Sequence, residues 1–329
     1  MSTGPGNDPF SGSDIQNVLQ HVISPKIVSD GATGYVVKSD LINIDNLYLT
    51  GNAYSNGTQI GGSQYVSVKS NAQGGEIAIG DGAGTTSQSD SAVAIGRSSG
   101  TTNQGASSVA IGNGAGQTTQ ADSAIAIGFR AGYTSQGLDS VAIGEFAGST
   151  SQGSDSVAIG TNAGLTSQSA NSVAIGISAG STTQGIACVA IGVNAGQTTQ
   201  ADYAVAIGNG TGASSQGNRS IAIGSGTCQV SQGADAVAIG NTAAINSQGA
   251  DAIAIGKYAG TSNLVAASSA AQAANSIIIN ATGSYLSNVT ASSCVIKPIR
   301  GDTTSNLSGA GFKQLYYNST TGEICVTTS

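Results

Sequence analysis

Tryptophan is absent from this chain, and large side chains are scarce: its 329 residues include ten Tyr, four Phe and one Met. Charged residues make up 8% of the sequence, far below the roughly 25% of an ordinary globular domain. So little bulk excludes a conventional core of interlocking large side chains, because each buried residue removes little apolar area from water. Histidine is nearly missing too, with His21 the single copy. There is no Walker loop, no HExxH and no nucleophile motif, so the sequence reads as a non-enzymatic protein that needs no cofactor. Ten Lys and Arg against seventeen Asp and Glu give a net charge of −7. That balance argues against nucleic acid, which is held by clustered cations. The four cysteines, Cys188, Cys228, Cys294 and Cys325, form no CxxC pair and suggest neither a metal site nor a disulfide framework. No apolar run approaches about 18 residues, and MSTGPGNDPFSGSD lacks the pattern of an export signal. Neither membrane insertion nor secretion by an ordinary leader is expected.

What the chain has instead is glycine, 49 copies, and a repeat. The words DSVAIGEFAGSTSQGS, DSVAIGTNAGLTSQSA and NSVAIGISAGSTTQGI follow one another from Asp139. The glycine of AIG recurs at every sixteenth position from Gly80 to Gly256, twelve times without a slip. Ala and Ile precede it in every copy, and Val or Ile stands before those. Four residues after the turn glycine a second Gly appears in ten copies, with Cys228 and Ala244 in the others. An unbroken column of Gln runs from Gln88 to Gln248. A degraded thirteenth copy, NSIIIN, ends at Asn280.

A fixed period with two turn signals and short β-branched segments describes one coil of a β-solenoid. Stacked at the spacing of paired strands, twelve coils make a rod of roughly 58 Å. The Gln column, which includes Gln136, Gln152, Gln168 and Gln184, reads as an amide ladder from coil to coil. Gly144, Gly160 and Gly176 read as turn residues that take backbone angles other residues avoid. In a strand the Val and Ile point one way and the Ala between them the other. None of these positions is ever polar, so both faces of the strand should be covered, one by the coil and one by other copies of the chain. Val141, Ile143, Val157, Ile159, Val173, Ile175, Val189 and Ile191 are the core and trimer-packing candidates, with cyclic symmetry closing the contact.

The word SVAIG, with Ala and Gly following at fixed offsets, resembles the head repeat of YadA-like trimeric autotransporter adhesins. The match runs from Gly75 to about Gly260. It implies an all-β, left-handed parallel β-roll of three chains around one axis. The repeat departs from that family in its length of sixteen residues, where about fourteen is usual there. The sequence also shows no signal peptide, no apolar heptads of a coiled-coil stalk and no membrane anchor.

Four regions follow. Residues 1–30 form a Gly-, Pro- and Ser-rich attachment segment. Within it Ile15–Ile23 could be a short helix, serving either as an end cap or as a plug into a capsid or baseplate. Residues 31–74 form a β-rich neck, 75–260 the roll, and 261–329 a β-rich cap or tip. NIDNLYLTGNAYSNGTQIGG and the KQLYYNSTTGEICV hairpin, with Tyr316 and Tyr317 as tip candidates, resemble segments of phage and viral fibre proteins. The expectation is a homotrimeric fibre or spike on the surface of a virus or phage particle, assembled in the host cytoplasm. Its partners would be a capsid or baseplate protein and a host receptor or glycan. The alternatives are a bacterial surface adhesin passenger and an internal capsid cement protein.

Three other readings fit the residues less well. Asp90, Asp122, Asp155, Asp202, Asp235 and Asp251 recur near the coil edge, which favours turn capping over a calcium column. Carboxylates are too sparse for a glycan-cleaving groove. Adjacent TT and TS hydroxyls should point to opposite faces, which argues against a flat hydroxyl lattice suited to ice.

Overall fold

The computed structural model describes residues 74–262 and 271–298. It also describes strands at 27–29, 35–37, 54–55, 58–59, 66–71, 315–317 and 324–326 and the turn at 320–322. The chain divides into two compact units, Met1–Ser63 and Gln64–Ser329. In the first, Ile27–Ser29 pairs antiparallel with Tyr35–Val37, and Tyr54–Ser55 with Thr58–Gln59. The segment Ile15–Ile23 lies outside the described residues.

The second unit is a parallel β-solenoid. Each VAI triplet forms a strand that pairs in register with the triplet sixteen residues on, as Val141, Ala142 and Ile143 pair with Val157, Ala158 and Ile159. These strands build one sheet of fifteen; the T/S–Q segments build a second of eleven. Among the described residues there is no helix. The all-β solenoid read from the period is therefore the fold.

The coil interior is made of methyl groups. Ala142, Ala147, Ala158 and Ala163 are fully buried, as are their equivalents along the stack. Alanine removes little area from water, so burial alone holds this stack weakly. Backbone hydrogen bonds between coils carry much of the order, including Gly144 N–H to Ile127 O at 2.8 Å and Gly148 N–H to Ala163 O at 2.9 Å. All run along the rod.

The stack is longer than the regular repeat. At its start, Val66–Asn71 folds back antiparallel on Gly74–Ile79, so the end of the expected neck is the first strand of the solenoid sheet. That reversal covers one open edge, where an unpaired strand would invite another chain. At the other end, Ile277–Asn280 pairs with Ile253–Ile255 after the insertion, and Cys294–Lys297 pairs with Ile277–Asn280. Fully buried Ile278 replaces the alanine there and fills the last closed coil. The expected tip from residue 261 therefore begins as a continuation of the rod.

The adjacent hydroxyls also differ from expectation. Thr182 and Thr183 are both exposed, because Thr182 occupies a bend just before the two-residue strand and escapes its alternation.

Candidate functional site

Three surfaces of the coil bear on function: the outer face of the VAI sheet, the Gln-lined interior edge, and the turn that follows the glycine.

The VAI strands bury their Ala completely and leave Val and Ile half-exposed on the outside. Val141, Ile143, Val157, Ile159, Val173, Ile175 and Val189 are all of this kind, and Ile191 is exposed at 36%. They contribute nothing to the coil interior, which corrects the core-packing part of their expected role. The result is two parallel columns of β-branched side chains on one flat face, continuing through Ile277 and Ile279. Isolated surface Ile is ordinary; an unbroken stripe along every coil is not.

The turn glycines Gly144, Gly160 and Gly176 have φ of 128°, 125° and 124°. A Cβ on Gly160 would sit 2.8 Å from the carbonyl oxygen of Gly176 in the next coil. Each turn glycine thus allows both the bend and the close stacking.

The Gln column is buried but is only in part a ladder. Gln136, Gln152, Gln168 and Gln184 each donate from Nε2 across the coil to a strand carbonyl eleven residues earlier, Val141 O for Gln152 at 2.8 Å. Direct amide rungs join Gln104 to Gln120, Gln120 to Gln136, Gln184 to Gln200, Gln216 to Gln232, Gln232 to Gln248 and Gln248 to Gln272, at 3.1–3.3 Å. From Gln136 through Gln184 the rungs are missing, and Oε1 of Gln152, Gln168 and Gln184 has no hydrogen-bond partner. A Cβ on Gly148 would lie 2.5 Å from Gln152 Oε1, so the second glycine leaves space for the amide oxygen; Gly116 does the same for Gln120, whose Oε1 accepts its rung from Gln104. The sequence pointed to the column correctly but not to its main partner.

Two of the recurring aspartates hold the backbone of a neighbouring coil. Asp122 accepts the Ala106 N–H at 2.8 Å and Asp202 the Ile186 N–H at 2.9 Å, each joining two coils. Asp235 pairs with Arg219 at 2.6 Å, and that bond holds the carboxyl below its ordinary value. Among the described residues no cluster of His, Cys, Asp and Glu is placed to hold a metal. Burial raises the thiols of Cys188 and Cys228, whereas Cys294 is exposed. Tyr316 and Tyr317 lie on the strand Leu315–Tyr317, paired with Ile324–Val326; their side chains are outside the described residues.

One feature escaped the sequence reading. The second residue after the turn glycine takes left-handed φ in every coil, and Gly, Asn and Ser fill most copies. Arg130 (52°), Phe146 (54°) and Tyr258 (57°) occupy the same position. Left-handed backbone costs such residues roughly 1–2 kcal/mol each. Phe129 and Phe146 meet edge to face at 5.2 Å, and the Arg130 guanidinium lies 5.0 Å from the Tyr133 ring and 5.3 Å from Phe129. An aromatic pair is worth about 0.5–1.5 kcal/mol and an exposed cation–π contact about 0.5–1 kcal/mol, so these gains only roughly offset the two strained residues. The cluster therefore adds little to the stability of the rod. Arg130, Phe146 and Tyr258, standing in a column otherwise filled by Gly, Ser, Asn and Thr, were the sequence signal that could have found it.

No helix among the described residues is long and apolar enough to cross a membrane. In comparison with known proteins, no family model matches this chain, nor does any curated protein or solved structure.

Proposed function

We propose that this chain is the shaft of a homotrimeric fibre or spike, a structural protein without enzymatic activity that projects from the surface of a virus or phage particle. The observation that carries this reading is the outer VAI face. Two columns of Val and Ile stand half-exposed over the whole length of the stack. A monomer would leave that stripe in water at a cost that grows with every coil. Three copies with the stripe turned inward cover it on one axis, and each added coil extends both the rod and the contact. The likeness of SVAIG repeats to YadA-like adhesin heads supports the same arrangement. Copy number then sets the length of a stiff rod, a use suited to holding an attachment surface away from a particle.

The partners in this reading are two further copies, a capsid or baseplate protein bound through the N-terminal segment, and a host surface component. A bacterial surface adhesin would use the same trimeric rod; antibody labelling of intact particles or cells separates the two settings.

The test is the mass in solution, by light scattering on a sizing column. The expected value is about 96 kDa, three times the 31.9 kDa chain. Ile159→Asp should give monomers or aggregates, because three carboxylates would face one dry axis. Thr161→Asp, just beyond the turn, should leave the trimer intact. A stable 32 kDa species for the unaltered chain, or the same mass for both variants, would refute the shared axis.

A further inference from the structure

We infer that the turn edge carries binding sites for carboxylate-bearing sugars, built from an unpaired cation laid on a pair of aromatic rings. The first lies on the coils from Gly114 to Phe146. Arg130 is exposed and in no ion pair among the described residues; Glu145, on the next coil, forms none with it. Its guanidinium rests on the rings of Phe129, Tyr133 and Phe146, and Phe129 is 41% exposed. Gly114 lies one coil below, beneath the cluster: a Cβ there would be in contact with Arg130 Cγ and Tyr133 Cε2 at 3.4 Å.

The same combination recurs eight coils along, on the same two columns of the turn. Lys257 lies 4.9 Å from the Tyr258 ring, which stacks on Tyr285 with centroids 4.3 Å apart. Lys257 likewise has no ion pair among the described residues. The cations with described side chains are Arg97, Arg130, Arg219, Lys257 and Lys297. Two of these five ride on rings, in a chain whose aromatic content is 4%. At eight coils of about 4.8 Å the two patches are roughly 38 Å apart along the rod.

The chemistry selects the ligand. A pyranose ring offers an apolar C–H face to an aromatic side chain and hydroxyls to its surroundings. A sugar carboxylate supplies the anion that Arg130 and Lys257 lack, and guanidinium pairs with carboxylate through two parallel hydrogen bonds. Charge complementarity gives selectivity in a chain of net charge −7, which otherwise repels acidic glycans. The site deepens the attachment part of the proposed function and rests on that reading for its biological meaning. The binding itself requires only the single-chain rod.

The experiment titrates the full-length chain with 3′-sialyllactose, a galacturonic acid trisaccharide and neutral maltotriose, followed by calorimetry and ligand-observed NMR. Asn occupies the Arg130 column at Asn162 and Asn194 and the Lys257 column at Asn113 and Asn209, so Arg130→Asn and Lys257→Asn suit the local backbone. The expected result is two acidic saccharides bound per chain, one in each single variant, and affinity at least about tenfold weaker in the double variant. Maltotriose should bind at least about tenfold more weakly than either acid. Absence of acidic-sugar binding, equal binding of maltotriose, or unchanged binding in the double variant overturns the inference. Light scattering on the same samples keeps the two readings apart. A monomer that binds acidic sugar sinks the trimer alone, a trimer that binds none sinks the site alone, and a mass altered by Arg130→Asn places the cluster between copies and also sinks the site.

Discussion

Replacing the turn glycine of one central coil isolates what the AIG column does. In Gly160→Ala the new methyl meets two obstacles. The backbone has φ of 125°, a region that costs a non-glycine residue roughly 1–3 kcal/mol. The Cβ also lies 2.8 Å from Gly176 O and 2.9 Å from Gly176 C, atoms of the next coil's backbone. That coil cannot retreat without stretching the Gly176 N–H to Ile159 O bond of 2.8 Å. Overpacking of this kind costs typically about 1–3 kcal/mol, so the sum is roughly 2–6 kcal/mol. Two controls separate the contributions. Gly283 has φ of 72° and nothing within 4 Å of its Cβ position, so Gly283→Ala should lose only the backbone part, about 1 kcal/mol. Gly75 has neither obstacle, and Gly75→Ala should stay within about 0.5 kcal/mol of the parent. The assay is thermal and denaturant unfolding followed by far-ultraviolet circular dichroism at one fixed protein concentration, since the proposed assembly would make the midpoint concentration-dependent. The expected order of loss is Gly160, then Gly283, then Gly75. If Gly160→Ala unfolds with Gly75→Ala, close coil stacking does not require this glycine and the reasoning fails.

Other consequences are quicker to check. Burial raises the thiols of Cys188 and Cys228, so at pH 8 iodoacetamide should leave those two untouched until the chain unfolds, as read by peptide mass spectrometry. Ready labelling of either in the folded chain would contradict the closed coil interior. Arg219 holds the Asp235 carboxyl below its ordinary value. A carboxyl lowered in the folded state stabilises it above the unfolded value of about 3.9, and that contribution fades as pH falls through the lowered value. In a carbon-detected NMR titration Asp235 should protonate at a lower pH in the parent than in Arg219→Gln. The pair is exposed and screened, so high salt should narrow the difference.

The solenoid could be read from the sequence because its signals are local and repeated. A period of sixteen held through twelve copies leaves no other regular register. Alternation within VAI sends Ala to one face and Val and Ile to the other whatever the rest of the chain does. The turn at Gly144, Gly160 and Gly176 follows from a residue type that alone tolerates those angles. What needed the tertiary structure were the contacts between residues far apart in sequence. The reach of Gln152 to Val141 O depends on how tightly the coil closes, and that closure gives the Gln column its cross-coil bonds whether or not the rung to the next Gln forms. The extension of the sheet to Cys294–Lys297 leaves the sixteen-residue period and shows only in the strand pairing. Arg130 joins Phe129, Tyr133 and Phe146 because stacking brings successive turns within a few ångströms of one another, although Phe146 lies sixteen residues from Arg130. Periodicity names the face on which a side chain stands; only the packing of one coil on the next decides which side chains meet there.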